Sequence, residues 1–185
     1  ARPDGRPGSV TLLGEAGRDG RIAGVAVALQ AAAAVPLGAT GWAYEPGPAP
    51  AAEPSGDEIA VAMVGAHMRG LPLNGEVTRL GGRFLHESAT APGYRFYALA
   101  GGPPERPGLV RADGGSSIAL EVWALPRARF GDFMAGIPAP LGIGTVELCD
   151  GSTVKGFVCE TAGLAGAREI TASGGWRRHL ETARP

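Results

Sequence analysis

Residues 59–74 read IAVAMVGAHMRGLPLN, and the scarcest chemical group of the chain stands in their middle. The protein has three histidines, two cysteines and a single lysine in 185 residues. His67 follows a run of small and branched apolar residues, the composition of a strand buried on both faces. The run breaks at Gly65, and Gly70 and Pro72 follow as turn formers. An irregular turn at the end of a sheet exposes backbone N–H groups and lets a ligand approach closely. An imidazole placed there titrates near neutral pH. Proton transfer to a small bound molecule is the chemistry this arrangement offers, with Ala66, Met68, Leu71 and Leu73 contributing the rest of the turn. The competing reading is an edge histidine satisfied by the backbone or exposed in a loop.

Further polar candidates are spread along the chain. Asn74 closes the same turn; it either caps a following helix or turns its amide inward to orient His67 or a carboxylate. Glu121 lies in IALEVWAL, where alternation sets it with Ala119 and Trp123, on a solvated face or in a polar cavity. Arg111, after PGLV, has the same two placements, and a guanidinium facing a pocket suits a carboxylate. Tyr94 and Tyr97 are three apart on an expected strand, so at most one lines a given pocket. Lys155 is either an edge-strand surface residue or a carboxylate partner. Arg69, Arg95, His86 and His179 read as surface. The GGSSI run at 114–118 is similar to the Gly-Gly-Ser-Ser stretch of Ser-Ser-Lys amidases, but no lysine precedes it.

A net charge of −1 with scattered charges argues against a nucleic-acid partner held through phosphates. Cys149 and Cys159 do not form a zinc-type spacing; they either face each other across a hairpin or, the favoured reading, are free buried thiols of a reducing compartment, so no metal is expected. No strand leads into G-x-G-x-x-G and no Walker loop occurs, so no nucleotide cofactor is expected. The longest apolar run is interrupted by Gln30 and Pro36, too short to span a bilayer, which makes a cytoplasmic location the default. The start, ARPDGRPGSV, has neither Met nor a signal-length apolar core and reads as a cut from something longer.

These residues need elements to hold them. Residues 1–56 are expected to form a disordered start, an alanine-rich helix over 21–35 and an extended linker with five prolines and four glycines in 36–56. Residues 57–185 form the second unit. Strands are expected at 59–64, 92–99, 108–112, 117–124, 144–149 and 153–160, with a tight hairpin at Asp150-Gly151. Helices are expected over 75–88, over 126–137 with Phe130, Phe133 and Met134 inward, and in the tail with Trp176 and Leu180, capped by Thr171 or Ser173. The fold class is α+β, a mixed, barrel-like β-sheet with a few short helices.

Taken in order, VGAHMRGLPLN, TAPGYRFYAL, PGLVR, EVWALP, IPAPLGIGTVEL and DGSTVKGFVCE resemble the C-terminal domain of allophanate hydrolase, and VPLGATG resembles the join after that enzyme's amidase domain. The resemblance implies a gamma-glutamyl cyclotransferase-like fold and a place in urea degradation after urea carboxylase. In that family the amidase domain releases ammonia from allophanate. The C-terminal domain is linked to decarboxylation of the product, N-carboxycarbamate, a small dianion, and its histidine maps to His67. Implied partners are an amidase domain, urea carboxylase and a second copy in a homodimer. A non-catalytic assembly module is the rival expectation. A cyclotransferase would need an acid in the pocket; IPAPLGIG supplies none, which leaves Glu121.

Overall fold

The computed structural model describes residues 9–14, 19–35, 40–43, 45 and 53–183. The chain divides into two compact units, Ala1–Ser55 and Gly56–Pro185. In the first, helix α1 spans Asp19–Ala33 and ends where Ala34 takes a φ of 48°. Most of the expected disordered start and of the expected linker lies outside the described residues.

The second unit is built around β1 (Glu58–Met63), whose residues Val61 to Met63 are fully buried, as is Val64 just beyond it. A strand hidden on both faces must be apolar throughout, which is why IAVAMV shows no alternation. β1 is the middle of a five-stranded sheet. One neighbour is β5 (Ala119–Pro126), antiparallel, with Met63 opposite Glu121. The other is β7 (Thr153–Cys159), parallel through Val61 and Ala62. β2 (Arg83–Ala89) pairs outside β5, and β6 (Leu141–Glu147) outside β7. A smaller sheet joins β3 (Tyr94–Ala98) to β4 (Pro107–Arg111) and to the two-residue β8 (Arg168–Glu169).

The α+β class with a mixed sheet holds, and the Asp150-Gly151 turn joins β6 to β7 with Gly151 at φ 83°. The large sheet does not close into a continuous barrel. Its edges meet at one end, where Thr90 bridges Leu148 just beyond β2 and β6. The expected helix over 75–88 is a correction: helix α2 covers only Asn74–Arg79, and the rest becomes β2. Gly81 (φ 81°) reverses the chain, and Gly82 passes so close that a Cβ would lie 2.5 Å from the Val77 side chain and 2.7 Å from its carbonyl. The glycine pair breaks the helix and sends Phe84 and Leu85 into the sheet.

Past β5, a short 3-10 turn leads into α3 (Phe130–Ala135). Phe133 is buried as expected, but Met134 is exposed, because a six-residue helix presents too narrow a face to bury three large side chains. The last helix, α4 (Trp176–Thr182), starts from Gly175 without a side-chain cap. Thr171 instead accepts the Phe96 N–H at 2.9 Å, tying the preceding turn to β3, and Ser173 donates to the Ile170 carbonyl within that turn. His179, expected on the surface, is buried beside Trp176. Both cysteines are free, and only Cys159, in β7, is buried; Cys149, expected to be buried, lies past the end of β6, is exposed and does not face Cys159.

Candidate active site

The turn between β1 and α2 is held by its own backbone. Met68 N–H donates to Gly65, Leu73 N–H to Ala66 and Asn74 N–H to Leu71, at 2.9–3.0 Å. The Asn74 amide donates 2.8 Å to the His67 carbonyl, so Asn74 supports the turn without touching the ring. None of these bonds uses the Ala66 or His67 N–H.

Two aromatic rings seat the imidazole. Phe157 on β7 stacks against it at 5.0 Å and 16°, and Phe133 on α3 meets it edge-on at 5.6 Å. Only 14% of the His67 side chain is exposed. Its Nε2 lies 3.1 Å from the carboxylate of Glu76, one turn into α2. An ionised carboxylate accepts only, so Nε2 carries the hydrogen and Nδ1 is left as the exchangeable nitrogen. Burial lowers the His67 pKa below its ordinary 6.5; Glu76 opposes this and Arg106 adds to it.

His67 lines a cavity of about 90 Å³ together with Gly65, Ala66, Leu73, Glu76 and Arg106, roofed by Ile137, Pro138 and Phe157. That is room for a small polar guest, since about 10–15 Å³ already admits a water. It is well below the ~300 Å³ at which drug-sized pockets begin, so a molecule of a few heavy atoms is what fits. Gly65 is required for the shape, since a Cβ there would run into the Pro107 ring.

Arg106, just ahead of β4, is half-buried and among the described residues makes no ion pair or side-chain hydrogen bond. It also lines a neighbouring open cleft with Pro140, Leu141 and Glu160. Sequence reasoning passed over it because PPERPG reads as a plain turn; its value comes from the fold, which sets it beside His67. Of the residues singled out beforehand, the structure brings Ala66, His67 and Leu73 to this cavity. The others stand elsewhere. Arg111 pairs with Glu147 at 3.3 Å and with the Tyr94 hydroxyl at 2.7 Å. Lys155 is exposed and bonds Thr145. Leu71 and Met68 do not line the cavity, and Met68 is buried in the core. Glu121 is 2% exposed, on neither a solvated face nor this cavity, and is held by Arg69, Trp123 and Arg177. Among the described residues no cluster of three or more His, Cys, Asp or Glu could hold a metal ion. Nor is any helix among them long and apolar enough to cross a membrane.

A mixed sheet carrying one half-buried histidine on the turn after its central strand, beside a cavity for a small polar molecule, defines the class. Residues 59–181 match the family described as allophanate hydrolase C-terminal domain, and the chain belongs to that family. The urea amidolyase of Lachancea kluyveri is 41% identical over 130 residues, 68% of this chain and 7% of that one. The solved allophanate hydrolase of Kluyveromyces lactis is 42% identical with a TM-score of 0.67, covering 71% of this chain and 23% of that one. A solved protein described as specific to uropathogenic E. coli is 36% identical, TM-score 0.64, over 69% of this chain and 98% of that one. The chain thus spans only 7% of the length of the curated relatives it matches.

Proposed function

We propose that this domain decarboxylates N-carboxycarbamate, the dianionic product of an amidase acting on allophanate, with His67 as proton donor. The observation that carries the reading is the unpaired Arg106 sharing a cavity of about 90 Å³ with His67. In the reaction one C–N bond breaks and its electron pair stays on nitrogen. The imidazolium gives nitrogen a proton, and carbon dioxide and carbamate leave. The carboxylate that remains is held by Arg106 and by the unused N–H groups of Ala66 and His67, where charge-assisted bonds are strong. The carboxylate that departs faces the apolar wall of Ile137, Pro138 and Phe157, which favours its loss as a neutral molecule. Glu76 holds the ring in the tautomer that leaves Nδ1 for the substrate. The cyclotransferase alternative is not favoured through Glu121, whose carboxylate is committed to two arginines.

The test supplies the chain with freshly generated amidase product and follows carbon dioxide against the uncatalysed control. Release above that control, inhibited by malonate, is expected. Its absence, with no malonate binding, leaves an assembly module as the answer. The pH profile has a definite sign. Because burial lowers the His67 pKa, the protonated donor is depleted as pH rises, so kcat/KM falls on the alkaline side from below pH 6.5. A bound dianion favours the imidazolium, so the same fall in kcat lies at higher pH.

Arg106→Met removes the anchor and keeps the stem. Losing one charge-assisted bond of ~1.5–3 kcal/mol raises KM by about 10- to 100-fold, with a smaller change in kcat. Steady-state kinetics read the split; an unchanged KM removes Arg106 from the site.

A further inference from the structure

A buried carboxylate outside the cavity calls for its own account. Glu121 sits on β5 opposite Met63, the last residue of β1, and close to the turn that follows it. It accepts the Arg69 N–H at 2.9 Å, Arg69 Nε at 3.3 Å, the Trp123 indole at 2.9 Å and Arg177 Nη2 at 2.8 Å. Arg177 Nη2 also donates 2.6 Å to the Arg69 carbonyl. Arg69, two residues after His67, is therefore held at both its N–H and its C=O. Arg69 reaches on to Glu87 at 2.7 Å and lies over the Phe84 ring at 3.7 Å. Arg177 is presented from a fixed base, since the preceding Trp176 is buried edge-on against Phe96.

A buried carboxylate held by two exposed guanidinium groups gains little net stability, because its own desolvation and the screening of the arginines by water offset the attraction. What it supplies is direction: four donors converge on two oxygens and fix one register of the turn. Burial pushes the Glu121 carboxyl up, but the bonds from Arg69, Trp123 and Arg177 outweigh it and hold the group below the ordinary carboxylate range. The cluster is thus charged at neutral pH.

We propose that Glu121 and Arg177 are positioning residues for the His67 turn, and that through them the C-terminal helix α4 sets where the imidazole stands. The inference rests on the reading of His67 as proton donor only for its catalytic consequence; the clamp itself is a statement about the turn. Loosening the clamp lets the turn open locally while the sheet stays closed. A displacement of about 1 Å at a reacting group costs up to ~10²-fold in rate.

The experiment compares the whole chain with Arg177→Met and Arg177→Lys. Amide hydrogen exchange at Met68 and Arg69, whose N–H groups bond Gly65 and Glu121, is expected to rise about tenfold or more in Arg177→Met, with the β1 and β5 amides unchanged. The His67 imidazole titration, followed by NMR with Glu76 and Arg106 as its charged neighbours, is expected to shift. The kcat for carbon dioxide release is expected to fall about tenfold or more, with Arg177→Lys regaining part of it. Unchanged exchange at Met68 and Arg69 and an unchanged His67 titration overturn the clamp. If Arg177→Met does not fold, Glu121→Gln is read the same way, and unchanged turn exchange there overturns it equally. The two proposals fail separately. A wild-type chain that neither binds malonate nor releases carbon dioxide refutes the decarboxylase reading, while exchange at the turn still decides the clamp.

Discussion

His67→Asn is expected to lower enzyme-dependent carbon dioxide release from N-carboxycarbamate by about 10²- to 10⁴-fold, the usual contribution of a positioned general acid. At 1.36 kcal/mol per decade this is ~3–5 kcal/mol of transition-state stabilisation. The fold should survive. The substitution forfeits one stacked and one edge-on aromatic contact, worth ~0.5–1.5 kcal/mol each beyond area. It leaves Glu76 with 46% of its side chain in water, so no charge is stranded. The loss belongs in kcat. Malonate affinity should change little, because Arg106 and the Ala66 and His67 N–H groups remain. Release rates must be corrected for spontaneous breakdown, and kcat values within a few-fold of wild type would remove His67 from the chemistry.

The part of this site legible in the sequence is the part written in local composition. IAVAMVGAH announces a buried strand that stops at a glycine, and the chain does stop there, with His67 on the turn. Asn74 was open between a helix cap and a support for His67; it bonds the His67 carbonyl. What could not be read is whatever depends on which strands become neighbours. Phe157 reaches His67 only because β7 runs parallel to β1, a pairing between segments about ninety residues apart with no local signal. Glu121 shows alternation of the ordinary half-exposed kind, yet β5 is covered on both faces and the glutamate is buried, with two exposed arginines reaching in to it. Arg106 and Arg111 are equally plausible as isolated letters. Arg111 turns to Tyr94 and Glu147, while Arg106 lines the cavity, and five residues along one segment decide it.

Phe157→Ala is expected to cost about 3–5 kcal/mol of stability, a large share of the ~5–15 kcal/mol that holds a domain together. The ring is buried, stacked on His67 and edge-on to Phe133 at 5.8 Å, so its removal enlarges the existing cavity instead of leaving a closed void. With His67, Glu76 and Arg106 on the wall, the enlarged space has the polar partners that water needs. Water there relieves the burial that is the largest cause of the depressed His67 pKa, so the pKa rises toward 6.5. The linkage has a fixed sign. In the wild type the unfolded chain binds the His67 proton more readily, so the stability this histidine gives is present above pH 6.5 and lost as pH falls through the lower folded value. Phe157→Ala should therefore be much less stable at pH 7 but lose less on going to acid, as urea midpoints at the two pH values will show. An imidazole titration by NMR separates the causes. If the pKa stays low after the ring is gone, the Arg106 charge and not burial sets it, and Arg106→Met must then raise it.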